Sequence, residues 1–261
     1  MRTSLPAVAA LALAAAAPAA AVDPFEIQVY GPDLNEPGQF SAELHLNFTF
    51  QGSSVPAYPG QVPALHSGHY TLEPAVGVTE WLELGAYLQT LSAPGFGYRW
   101  GGFKLRAKMI VPQRLTGQFF VGLNVEVGRF PSWVEDAAWG TEFRPILGWS
   151  DGLFLVDVNP ILGCALDGPD AFRVDFSPAA KVAVNTQLGF TVGVEYYGEL
   201  GYLSGIYPAS QQQHLLFAVL DLVAPRGKPD FDWELNLGVG FGLTPATDQQ
   251  LIVKAIVGKA F

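Results

Sequence analysis

From residue 40 onward the chain alternates apolar and polar side chains, and the clearest run is FSAELHLNFTF at 40–50. Phe40, Ala42, Leu44, Leu46, Phe48 and Phe50 are apolar, while Ser41, Glu43, His45, Asn47 and Thr49 between them are polar. Successive side chains of a strand point to opposite faces, so this period of two describes a ribbon with one apolar and one polar face. The same pattern, punctuated by Gly, Pro, Asn and Asp, predicts twelve strands near 40–50, 69–78, 81–91, 102–111, 117–127, 139–148, 153–163, 172–183, 188–198, 213–222, 232–243 and 249–261. Connections at 79–80, 112–116, 150–152 and 185–186 are short, and those at 51–68, 92–101, 128–138, 164–171 and 199–212 are longer; 223–231 and 244–248 depart from that alternation. An even strand count with short turns at one end and long loops at the other is the plan of a barrel whose closure leaves no backbone group unpaired in lipid. The expected fold is therefore all-β: a twelve-stranded antiparallel transmembrane β-barrel of the bacterial outer membrane.

Aromatic positions agree with that reading. Trp81, Trp149, Trp233 and Phe261 fall at strand ends expected in the periplasm, and Phe50, Trp139, Phe172, Tyr196 and Phe241 at or towards external ends, as two interfacial girdles require. Phe261, with Val257, Ala255 and Val253 on its face, has the form of the assembly signal read by the barrel-insertion machinery. Residues 1–21 read as a signal peptide, with Met1-Arg2 as the basic start, Leu5 to Ala17 as the apolar core and cleavage after Ala21. Residues 22–39 then form a periplasmic lead-in or a plug folded into the lumen, and 40–261 the barrel. A soluble sandwich or lipocalin-like barrel also alternates; secretion and the aromatic terminus favour the membrane.

Composition narrows the partners. The 261 residues are 49% apolar but 15% charged, with a net charge of −10, and removal of Arg2 with the signal makes the chain more negative still. An acidic chain is a poor partner for nucleic acid, which is excluded as an expectation. The single cysteine, Cys164, implies neither a disulfide nor lipidation, and is expected to be a small buried residue near a strand end.

The stretches LNEPGQF, LHLNFTF, VGVTEWLELGAYL, GGFKLRA, FRPILGW, VNPIL, FSPAAKVA, GVEYYGELG, QQQHLLFAVLDL and GVGFGLTPATD carry a resemblance that spans 25–261. The chain resembles the outer-membrane β-barrels grouped as meta-pathway phenol-degradation proteins, which are transporter-like. That resemblance implies a barrel fold and a role in passing aromatic compounds. One departure is Lys259, where such barrels usually carry an aromatic third from the end.

If the apolar parity faces lipid, the other parity lines the lumen. The inward acids would be Glu43, Glu73, Glu83, Glu126, Glu142, Asp157, Asp175, Glu195 and Glu234; the bases would be Lys104, Arg106, Lys108, Arg144, Arg173, Lys181 and Lys254, with His45 titratable. Near balance of sign argues for ion pairing in a narrow interior. The ladder Lys104-Arg106-Lys108 on one strand, facing acids across the lumen, is the candidate constriction, together with Glu83, Glu126, Glu142, Arg144, Asp157 and His45; salt bridges to Glu83 and Glu126 are the plainer reading. Gly122, Gly189, Gly193, Gly238 and Gly240 would leave open volume or mark bends. The run GVGFG at 238–242 opens no helix and is not a nucleotide loop, and the Asn47-Phe48-Thr49 sequon lies inside a strand. Asp167-Gly168-Pro169-Asp170 reads as a turn before it reads as a cation or lipopolysaccharide site. The expected function is a narrow channel or transporter for small solutes, hydrophobic or aromatic ones among them. The competing readings are a closed structural or surface-interaction barrel, and a lipid-modifying enzyme using His66, His69 or His214 at the external rim. No catalytic residue, metal or cofactor is expected; the expected partners are outer-membrane lipid and lipopolysaccharide, the barrel-assembly machinery and small solutes.

Overall fold

A computed structural model describes residues 23–222 and 233–261; the stretch 1–21 expected to be a signal peptide and the whole connection at 223–231 lie outside these. Twelve long strands form one antiparallel meander: β1 (Phe40–Gly52), β2 (Gly68–Thr79), β3 (Leu82–Ala93), β4 (Gly97–Ile110), β5 (Phe119–Arg129), β6 (Trp139–Ser150), β7 (Phe154–Ala165), β8 (Val174–Asn185), β9 (Phe190–Glu199), β12 (Gln213–Leu222), β13 (Trp233–Gly242) and β14 (Gln249–Ala260). Two-residue strands β10 (Gly201–Tyr202) and β11 (Gly205–Ile206) extend the loop after β9, and a single turn of helix, α1 (Gln113–Thr116), follows β4. The sheet closes where β1 pairs with β14, from Ser41↔Ala260 to Phe48↔Val253, and the Phe261 amide donates to the Phe40 carbonyl at 2.8 Å. The fold is thus a closed twelve-stranded barrel, with both ends of the barrel chain at one rim, the periplasmic rim in the orientation of outer-membrane barrels.

The outer face is the apolar parity. Leu44, Leu46, Phe50, Leu72, Leu84, Leu88, Leu105, Val121, Phe143, Val182 and Val194 are exposed, while Glu73, Asn124, Asn159 and Glu195 on the other parity are buried. Trp81, Trp233 and Phe261 are exposed at one rim and Phe50, Trp139, Phe172 and Phe241 at the other. Lys259 lies outward at the periplasmic rim, 5.1 Å from the Trp233 ring centroid and 5.4 Å from that of Phe261. It packs its charge against the two rings where an aromatic would otherwise stack.

The lumen is filled. Residues 23–39 run through it from the external half to the periplasmic rim, where Pro37 pairs with Gly77 and the Gly38 amide donates to the Gly77 carbonyl at 2.8 Å. Ile27 and Val29 pack against Ile161, Ala179, Tyr197, Leu215, Phe217, Val219 and Ile252, and Tyr30 against Ile110, Phe120 and Ile146. The inward glycines do not open space, because neighbours fold over them: a Cβ at Gly240 would meet the Phe217 ring, one at Gly238 the Lys254 chain at 2.9 Å, one at Gly193 Ala183 Cβ at 2.8 Å, and one at Gly122 Ile110. Gly189 sits in a turn with φ 97°, a conformation that favours glycine. Cys164, expected to be buried, is half-buried near the external end of β7.

A Cβ on Gly77 would overlap the carbonyl oxygens of Asn35 and Glu36, so this glycine lets the N-terminal segment lie flat against β2. Gly77→Ala is expected to detach residues 35–38 while the barrel stays closed. Hydrogen exchange should then lose protection at the Gly38 amide with unchanged heat-modifiable migration of the barrel; unchanged protection would show that this contact does not hold the segment.

Candidate functional site

Six side chains that line the lumen donate to the backbone of residues 23–39. Asn47 Nδ2 donates to the Pro24 carbonyl at 2.8 Å, Thr71 Oγ1 to Phe25 at 2.9 Å, Lys254 Nζ to Ile27 at 2.9 Å, Arg144 to Gln28 at 3.1 Å and Lys108 Nζ to Asp33 at 2.7 Å. Asn159 clamps Tyr30 from both sides, accepting from its amide at 2.7 Å and donating to its carbonyl at 3.1 Å. An extended segment inside a barrel has no ladder to satisfy its polar groups, and these side chains replace one.

Charges are matched in the same way. Lys104 Nζ lies 2.6 Å from Asp23, 3.3 Å from Glu26 and 3.1 Å from Glu126. Arg144 reaches Glu142 at 2.7 Å and Glu26 at 3.4 Å, and its guanidinium carbon sits 4.3 Å over the Tyr30 ring. Glu26 is therefore shared by two cations, and the Tyr30 hydroxyl, hydrogen-bonded to Glu26, also meets the Tyr87 hydroxyl. On the far wall Lys254 and Lys181 converge on Glu195, with Asp221 2.9 Å from Lys181. Nearer the periplasm Arg106 joins Glu73 at 2.6 Å and Glu83 at 2.8 Å, and Asn35 donates its amide to Glu83 at 2.7 Å.

The ladder Lys104-Arg106-Lys108 thus meets neighbouring strands and the N-terminal segment, and it does not face acids across an open lumen. Arg106, not the register partner Lys108, takes Glu83. Asp157 is buried beside Gly31, whose Cβ would lie 3.7 Å from its Oδ2. Arg173 departs from the expectation of a lumen base: it precedes β8, pairs with Asp170 and covers the Tyr202 ring at 3.6 Å. The Asp167 carboxylate accepts from the Ala138 and Trp139 amides at 2.7 and 3.3 Å, so the acidic loop is a tie between two external loops. The loop histidines do not form one site. His69 is buried on the lumen face with its ring 4.7 Å from that of Phe25, whereas His214, on the outward parity of β12, bonds the Tyr196 hydroxyl at 2.7 Å.

Sequence reasoning missed Glu26, Tyr30, Tyr87 and Asn159 as the centre of the lumen network. Asn159 and Tyr87 sit on the inward parity of their strands and were visible in principle; Glu26 and Tyr30 belong to a segment without periodicity. Also missed was an external vestibule of about 260 Å³, between residues 23–28 and the β5–β9 wall. Ten carboxylates line it against Lys104, Arg144 and Arg173 alone, and Tyr58, Phe130, Trp139, Tyr197 and Tyr202 give it aromatic surface. Loops 53–67 and 130–138 roof the mouth through a Val62 amide to Trp133 carbonyl bond at 3.0 Å, and Arg99 is held between the Phe96 and Trp133 rings at 5.4 Å from each.

No family model matches the chain, and no curated protein matches it in sequence. Solved structures do match its fold. The COG4313 outer membrane channel from Pseudomonas putida F1 gives a TM-score of 0.61 at 11% identity, covering 90% of this chain and 100% of that one. The KdgM porin gives 0.54 at 11% identity over 85% and 99%, and the NanC porin 0.54 at 10% over 84% and 98%. At such identities the likeness is one of architecture: this chain has the fold of outer-membrane barrels.

Two outcomes follow from these contacts. Lys104→Ala would leave Asp23 and Glu126 without a cation and Glu26 with Arg144 alone, and is expected to cost about 3–5 kcal/mol in urea unfolding in detergent, as for other broken buried pairs; a loss under 1 kcal/mol would show that the network does not hold the fold. In loop 130–138, burial pushes the Glu135 carboxyl up to about 7, with the Asp23 charge adding to the effect. Between the ordinary carboxylate range and pH 7 the folded chain then keeps a proton that the unfolded chain has lost, so stability falls as pH rises through that window. Glu135→Gln should flatten the slope of stability between pH 5 and 7.

Proposed function

We propose that this protein is a narrow channel of the bacterial outer membrane for small solutes, with its own N-terminal residues 23–39 as the plug. The observation that carries this reading is how the plug is held: by hydrogen bonds and ion pairs from the wall to its backbone and acids, with a vestibule beside it. A neutral hydrogen bond contributes only about 0.5–1.5 kcal/mol net because water can take its place, so the ties to the plug's backbone cost little to exchange wherever water reaches them from the vestibule. The channels and porins that share the fold support the same class of activity, and a signal peptide at 1–21 would deliver the chain across the inner membrane.

The vestibule supports a solute class. Its volume, below the usual range of drug-sized pockets, fits a single-ring compound. Its aromatic walls favour flat or apolar solutes, in keeping with the aromatic-compound role that the meta-pathway resemblance implies. Its excess of carboxylates favours neutral or cationic solutes over anions. The solute would leave the vestibule along the path that the plug now fills, past Lys104, Arg106 and Lys108.

The filled lumen favours one other reading, a closed barrel with a structural role. Planar-bilayer recording separates the two. The mature chain should show small discrete conductance that rises severalfold when residues 22–34 are deleted and changes when Lys104, Arg106 and Lys108 are replaced together by Ala. Well-folded barrels that never conduct, the deletion variant included, would establish the closed reading.

A further inference from the structure

The periplasmic half of the lumen holds carboxylates that its bases leave unneutralised. Glu43 on β1 stands directly opposite Glu73 on β2, and on its other side opposite Gly258 on β14, which stands opposite Glu234 on β13. Three carboxylates thus share one row across four strands. Gly258 provides the gap in that row: a Cβ there would lie 2.9 Å from Glu43 Cγ and 3.2 Å from Glu234 Cβ. His45, two residues along β1 and so on the same face, completes the group. Its Nε2 is 3.0 Å from Glu73 Oε2 and 3.6 Å from Glu43 Oε2.

Among the described residues Arg106 and Lys108 are the bases near this row, and both are shared with groups outside it. Arg106 holds the other oxygen of Glu73, Oε1, at 2.6 Å and is shared with Glu83. Lys108 donates to the Asp33 carbonyl. Glu43 Oε2 is buried with no hydrogen-bond donor, and the fully buried His45 makes no bond through Nδ1. Two carboxylates facing an imidazole in an enclosed space, with one shared guanidinium, leave negative charge that a cation or a proton must offset.

We propose that Glu43, His45 and Glu73 form a binding site for a divalent transition-metal ion of the zinc class. One ligand atom from each residue lies within 4.8 Å of the others. A tetrahedral ion with ligands at about 2.1 Å spaces them about 3.4 Å apart, between the two separations seen to His45. One imidazole with two carboxylates suits Zn²⁺, Co²⁺ or Ni²⁺, whereas Ca²⁺ and Mg²⁺ require six or more ligands, nearly all oxygen. Arg106 on Oε1 orients Glu73 so that Oε2 faces the ion, the role that outer hydrogen bonds play at metal centres. Three protein ligands leave one position for water, and the side chain of Glu43, 18% exposed, marks the entry from the periplasmic rim. The site does not depend on whether the barrel conducts.

The test uses the full mature chain, folded in detergent and stripped with EDTA, titrated calorimetrically with ZnCl₂ and followed optically with CoCl₂. One equivalent of Zn²⁺ should bind, Co²⁺ should give the intense visible bands of a four- or five-coordinate site, and excess Mg²⁺ should displace neither. His45→Ala and Glu43→Gln should each weaken binding by at least about tenfold, the scale of lost metal-site groups. If His45→Ala does not fold, Glu43→Gln decides, because it changes an oxygen that no protein donor uses. No binding to the heat-modifiable barrel would overturn the proposal. Equal binding in wild type and Glu43→Gln would overturn it as well, by placing the ion elsewhere.

Discussion

The pairing of Glu26 with both Lys104 and Arg144 is the contact on which the interior depends. A closed barrel traps whatever points inward, and a trapped charge is tolerated only when another charge or several hydrogen bonds meet it. The wall strands bring Lys104 and Arg144 close to Glu126 and Glu142, but a shared acid from outside the sheet is what ties the two sides together. That acid arrives on residues 23–39, so the segment is a structural member of the lumen.

Once Glu26 is in place, the rest of the segment is aligned by its geometry. Tyr30 falls against Tyr87 and Asn159, Ile27 and Val29 meet the aliphatic patch on β7 to β9 and β12 to β14, and Asn35 reaches Glu83 before the chain turns into β1. Apolar packing fills the wall where the segment offers carbon, and polar ties hold it where the segment offers carbonyls. This division explains why a barrel with a nominally polar inner face buries Phe120, Phe217, Ile146, Ile252 and Ile256 inside. It also leaves two places where charge is not balanced locally: the acidic vestibule by the external loops and the Glu43-His45-Glu73 group near the other rim.

Much of the architecture was legible because its signal is local. A period of two in FSAELHLNFTF assigns each residue a face without knowledge of any other strand, and Gly, Pro and Asn between such runs mark where the sheet must turn. The inward placement of Lys104, Glu126 and His45 follows from the same rule. Their partners do not, because a partner is a matter of distance across strands far apart in sequence. Arg106 passing over Gly85 to reach Glu73, or Arg173 leaving the lumen for Tyr202, depends on side-chain reach and on where a strand begins.

The sequence by itself determined an all-β chain, its twelve strands, their faces and the aromatic rims, since each rests on backbone pleat and on the transfer of apolar side chains to lipid. Only the tertiary structure decided that the lumen is filled, that its glycines receive Phe217, Lys254 and Ile110, and that its bases read the backbone of residues 23–39. The physical reason is that residues 23–39 carry no period: an extended segment held by hydrogen bonds from seven different strands has no pattern of its own, and its place exists only when the barrel has closed around it.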